Sequence, residues 1–256
     1  MFLVIVFSSF GILAWVVVGV LLYFRRKTLR KTELMRRVET SAAADVPSVV
    51  AGTLVEVKGT LRCESPLKSE MAGQTCAYYS SRVIREYQET DRDADGDPQT
   101  RRRSETVASN ERFAPFTVED ESGAVGVRGE RAEVDALEVM DRFDPDPGEG
   151  TSTTTLGGLT LNLGGGEHTI GYRYVEGILP VDAPVYVLGA VREDGEIGAP
   201  QAEDEEGRFL ISYRSEEQLE KKYRRDALWL GLIAAGLFAF GAIFVAVGVA
   251  AAVGTF

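Results

Sequence analysis

Each end of this 256-residue chain carries a long apolar run with no charged residue, Phe2 to Phe24 and Ala227 to Phe256. A membrane-crossing helix needs roughly 20 apolar residues to span about 30 Å of hydrocarbon, and both runs meet that length. The basic residues sit on the inner flank of both: Arg25, Arg26, Lys27, Arg30 and Lys31 after the first, and Lys221, Lys222, Arg224 and Arg225 before the second. A cleaved signal peptide fits the first run poorly, because positive charge follows the apolar stretch instead of preceding it. The expected organisation is a span over 2–24, a basic juxtamembrane stem over 25–47, a domain over 48–214, a basic stem helix over 215–226 and a second span over 227–252.

Lysine and arginine beside a span end are retained on the cytoplasmic side. The expected topology is therefore a multi-pass cell-membrane protein with the central domain cytoplasmic and both termini outside. The charge is segregated along the chain. Residues 25–37 carry seven bases and one acid, whereas residues 38–220 carry 17 bases and 37 acids. The collars suit anionic headgroups, at about 1 kcal/mol per basic residue near the surface. The acidic domain is repelled by the same surface and by nucleic acid, so no nucleic-acid partner is expected. Scarce lysine in an acid-rich chain fits either a salt-loving archaeal protein or an ordinary acidic bacterial one. With only Cys63 and Cys76, no disulfide framework is expected.

Between the spans the hydrophobic period changes. Residues 49–57, 59–63, 75–87 and 184–192 read as strands, and Phe113 to Val127 reads as a hairpin turning at an acidic-Gly sequence. Residues 88–112 and 144–170 read as polar loops, since they carry little that a core could use. No crossover helix is available for a parallel sheet. The fold class is thus mainly β, a small antiparallel OB-like barrel between two transmembrane α-helices.

Two spans around a β domain, with Ser65-Pro66-Leu67, Gly73-Gln74-Thr75-Cys76-Ala77-Tyr78-Tyr79, Pro115 to Gly123, Tyr174-Val175-Glu176-Gly177-Ile178-Leu179 and Val185-Tyr186-Val187-Leu188-Gly189 in that order, resemble the GIDE or beside-a-membrane (BAM) family. That family includes the mitochondrial membrane ubiquitin ligase MULAN and prokaryotic relatives. The resemblance spans 48 to 250 and implies a membrane-side domain that binds partners or substrates. The family's eukaryotic ligases add a RING domain, which holds two zinc ions through about eight Cys and His ligands. Cys63, Cys76 and His168 are too few for that, and no C-x-x-C pair is present. No metal, cofactor or catalytic residue is therefore expected.

Tyr78, Tyr79, Phe116, Glu176 and Tyr186 are the candidate partner-binding residues, with packing as the plain alternative for strand tyrosines. Asp91 to Asp97 opens like a calcium loop but lacks its bidentate Glu, which leaves a solvated acidic loop. Cys76 has no base near it in sequence and reads as a buried thiol. Ala227, Gly231, Ala235 and Ala239 recur every fourth residue, a small-residue face suited to the first span or to a second copy. Two functions follow: a non-catalytic scaffold or adaptor for membrane or cytoplasmic proteins, or a ubiquitin ligase or ligase subunit as the resemblance implies.

Overall fold

The computed structural model describes residues 2–92, 98–145, 151–156, 159–164, 168–200 and 209–253. They fall into two compact units, one of residues 1–39 with 215–256 and the other of residues 40–214.

The first unit is a helix pair, α1 (Phe2–Arg37) and α2 (Glu216–Val253). Both are long and apolar enough to cross a membrane. Side chains such as Phe10, Ile12, Leu13, Leu228, Leu232 and Ile243 are exposed, which suits hydrocarbon and not water. Trp15 stacks on Phe238 with ring centroids 5.8 Å apart, and Phe10 meets Phe244 at 6.3 Å. At Gly11 an added Cβ would lie 2.6 Å from a Val245 methyl and 3.1 Å from the Gly241 carbonyl. Small residues here let the two backbones approach. Ser215 accepts the N–H of Gln218 at 3.4 Å and starts α2.

The second unit is β throughout. Its strands are β1 (Leu54–Arg62), β2 (Leu67–Lys68), β3 (Thr75–Arg92), β4 (Pro98–Phe113), β5 (Phe116–Glu119), β6 (Ala124–Val127), β7 (Glu133–Asp135) and β8 (Leu137–Pro145). Then follow β9 (Thr151–Leu156), β10 (Leu159–Gly164), β11 (Thr169–Pro180), β12 (Pro184–Val191), β13 (Ile197–Gly198) and β14 (Leu210–Ser212).

Pairing in the order β1-β5-β6-β13-β12, with β12 returning to β1, closes a five-strand ring. Every link is antiparallel except β13–β6. This is the Greek-key closure of an OB-type barrel. Gly59 sits where β1 turns from β12 to β5, and a Cβ there would fall 2.4 Å from the Glu119 carbonyl oxygen. Val57, Leu61, Val118, Val187, Ile197 and Ile211 fill the interior. β14 and β7 extend the ring from β12.

The expected hairpin is β5–β6. Asp120 holds its turn by accepting the N–H of Ser122 and Gly123, and it accepts the N–H of Ala43 at 2.9 Å. The Ser122 hydroxyl first, then these N–H groups, keep its carboxyl below its ordinary value. Ala43 and Val46 are fully buried in the barrel core, so residues 40–47 belong to the β unit and not to a juxtamembrane stem.

Two insertions into the barrel make a second sheet. β3 pairs with β4 and β2 on one side and with β11 on the other, and β8 follows β11. The segments 88–112 and 144–170, expected as polar loops, are therefore largely strand. β3 and β4 run antiparallel from Tyr78↔Phe113 to Arg92↔Pro98. β8 reaches Pro145, and β9 pairs with β10. Polar residues suffice because the ladder supplies the backbone bonds and opposite charges face each other across it. Residues 93–97, the core of the calcium-like motif, lie outside the described residues, as do 146–150, 157–158, 165–167 and 201–208.

Candidate partner-binding surface

The five residues expected to meet a partner do not form a surface. Tyr78, Tyr79, Phe116, Glu176 and Tyr186 are 5, 2, 3, 0 and 1 % exposed. Tyr78 and Phe116 belong to the barrel core, and Tyr79 packs with Cys76 and Ile178. Alternation along β3 places Tyr78 and Tyr79 on opposite faces of its sheet. Residues that stiffen strands were mistaken for residues that greet a partner.

Glu176 is itself a buried carboxylate, and Tyr186 reaches another, Glu56. On β11, Glu176 accepts the N–H of Met71 at 2.9 Å, the N–H of Ala72 at 2.7 Å and the Ser81 hydroxyl at 2.6 Å. Burial alone would raise its pKa; these bonds outweigh that and hold it below its ordinary value. The carboxylate thereby ties the β2–β3 loop to the sheet. On β1, Glu56 accepts the Tyr186 and Thr40 hydroxyls, both at 2.8 Å, and pairs with Lys58 at 3.0 Å. Cys76 is buried, and burial first, then the charge of Glu176, push its thiol up to about 11. A neutral thiol is no nucleophile at neutral pH.

The exposed chemistry lies farther along the second sheet. Glu86, nearly buried on β3, accepts Arg102 Nε of β4 at 2.9 Å and Arg173 Nε of β11 at 3.0 Å. Arg173 donates on to Asp141 of β8 at 2.8 Å. The ion ladder therefore crosses all four strands. Phe143 lies beneath it, with the Arg173 and Arg102 guanidinium carbons 5.7 and 6.0 Å from its ring centre. Burial of Glu86 works against its charge, but the two arginines prevail and lower its pKa. On the opposite face Arg85 meets Glu105 and Arg103 meets Glu89.

β8 is the outer strand of this sheet. Among the described residues it pairs only with β11, so its outer edge faces no other strand, and alternate residues along it direct their N–H and C=O groups away from the sheet. Such an edge is a template for another extended chain. In the sequence, Ala132 to Phe143 reads as either a strand edge or a short helix; the pairing of β8 with β11 makes it strand.

In the helical unit, Arg25, Arg26, Lys27, Arg30 and Lys31 lie on α1, and Lys221, Lys222, Arg224 and Arg225 on α2. An added Cβ at Gly231 would lie 3.1 Å from Arg25 Nε, so both collars stand at one end of the pair. Ala227 is buried and Gly231 half-buried against α1, but Ala235 and Ala239 are exposed. A strict fourth-residue row drifts around a helix that turns every 3.6 residues. The seam instead runs through Ala227, Gly231, Ala234, Phe238, Gly241, Val245 and Gly248, with alternating steps of four and three.

The donors for a RING zinc site do not fit: the chain has two Cys and one His, and Cys63 Sγ donates to the Pro115 carbonyl. No group of three or more His, Cys, Asp or Glu placed to hold a metal exists among the described residues. No curated protein and no solved structure matches the chain. The model of the GIDE family, described as E3 ubiquitin ligase, matches residues 86–248. That range holds β4 to β14 and most of α2, although the Gly73 to Tyr79 motif precedes it. Covering well over half of the sequence, it shows that this chain belongs to the GIDE family.

Proposed function

We propose that the chain is a membrane-anchored scaffold or adaptor. Its β unit would face the cytoplasm, with both termini outside, and would bind protein partners beside the bilayer without catalysis of its own. The observation that carries this reading is the open edge of β8, backed by the ion ladder through Glu86 and Arg173. Adding a strand to that edge would give a partner main-chain hydrogen bonds, and the exposed Glu138 and Asp141 would favour a basic segment. The exposed Ala235 and Ala239 offer a face for a second copy.

A photo-crosslinking residue placed at Glu138 in native membranes tests the edge. Adducts are expected there and not from the same residue at Glu121, which is exposed on the barrel hairpin. Equal crosslinking at both positions contradicts the edge reading. The rival function is a ubiquitin ligase or its membrane subunit, supported by the family description. In a reconstituted ligation assay the scaffold reading expects no transfer unless a RING protein is added. Transfer by the purified chain alone ends it.

A further inference from the structure

A groove of ≈ 480 Å³ runs along the pair α1–α2, within the range of about 300–1,000 Å³ typical of small-ligand sites. Val18, Leu22, Leu228, Leu232 and Phe238 are among its walls, and its one charged lining residue is Arg25. Leu228 and Leu232 are 65 and 64 % exposed, so the groove opens sideways, toward hydrocarbon if the helices span. Arg25 Nε is buried with no hydrogen-bond partner. With Nε covered by Gly231 of α2, the outer guanidinium nitrogens are the ones left to meet a ligand in the groove, and their fork matches a phosphate in shape and charge. Arg25 also stands at the boundary, immediately after the uncharged run, where a headgroup would lie. Gly231 makes the room: any side chain there would press on the guanidinium.

We propose that this groove is a binding site for one anionic phospholipid. Its phosphate is held by Arg25 and an acyl chain lies along Leu22, Leu232 and Phe238. The inference rests on reading both helices as spans.

Native mass spectrometry of the full chain in detergent, titrated with phosphatidylglycerol or phosphatidylcholine, tests it. One phosphatidylglycerol is expected to remain bound about tenfold more tightly than phosphatidylcholine, whose phosphate is the same but whose quaternary ammonium cancels the net charge that Arg25 attracts. Glycerol 3-phosphate is expected not to displace it, which separates a lipid site from a bare phosphate site. Arg25→Gln should abolish the preference and Arg25→Lys should keep most of it. Gly231→Leu, which keeps every charge, should lose the bound lipid. Equal retention of both lipids, displacement by glycerol 3-phosphate, or phosphatidylglycerol binding unchanged in Arg25→Gln or Gly231→Leu overturns the proposal. The wild-type comparison decides even if a variant does not fold. Release of the chain from membranes by alkaline wash is the separate result that would defeat the spans.

Discussion

The barrel and the second sheet grow from the same stretch of chain but bury different things at their centres. The barrel closes over Val57, Leu61, Val118, Val187 and Ile211, all apolar and all essentially inaccessible. The sheet's centre holds Glu176, and farther out its strands are tied by Glu86, Arg102, Arg173 and Asp141. Apolar burial is tolerant in detail, because any side chain of similar volume and shape serves. A buried carboxylate is not, because each donor aimed at it is stranded when it leaves. The barrel should therefore respond to volume, and the sheet to charge and hydrogen bonding.

Glu176→Ala should break that contrast most severely. It strands the N–H groups of Met71 and Ala72 and the Ser81 hydroxyl, at about 4 kcal/mol in total. Urea denaturation of the detergent-solubilised chain would read it as a large fall in midpoint. Ile211→Ala, in the barrel, should cost about 3 kcal/mol through lost burial and the cavity left behind. A smaller loss from Glu176→Ala than from Ile211→Ala would show that the sheet is also held mainly by its apolar contacts.

Acid sharpens the same comparison. Glu176 and Glu86 have folded pKa values below the ordinary 4.5, and Asp120 below the ordinary 3.8. Each binds a proton less readily when folded, so its contribution is complete above its unfolded pKa. That contribution falls away as pH drops through the lowered folded value. Melting temperature should hold from neutral pH to about 4.5 and decline below it. Glu176→Gln should flatten the decline, whereas Ile211→Ala should shift the whole curve and leave its shape. The smallest effect belongs to Arg102→Gln: its side chain is 60 % exposed, so about 0.5 kcal/mol is expected, shrinking further in molar salt.

What could be read from the sequence follows the same division. The two long apolar helices, the barrel strands and the β5–β6 hairpin were legible because apolar runs and apolar spacing mark them. The β3–β4 extension was not, since neither of its faces is apolar. Its signal was of another kind: Glu86 and Glu89 ahead of Asp95-Gly96, and Arg101 to Arg103 behind it, are opposite charges mirrored about a turn sequence. The partner residues were misjudged because Tyr78, Tyr79 and Tyr186 look alike whether they pack or protrude. Ala235 and Ala239 were misplaced because the row was drawn at four residues per turn. The ladder and the β8 edge became visible only when strands distant in sequence were brought side by side.

Accessibility of the β unit from outside the cell tests the account most directly. In a Cys63→Ser background, Glu121→Cys puts one exposed thiol on the barrel hairpin, while Cys76 stays buried and protonated. The proposed cytoplasmic placement expects a membrane-impermeant maleimide to leave residue 121 unlabelled in intact cells and to label it promptly once they are permeabilised. Prompt labelling of residue 121 in intact cells would place the β unit outside and contradict both the topology and the cytoplasmic partners proposed for it.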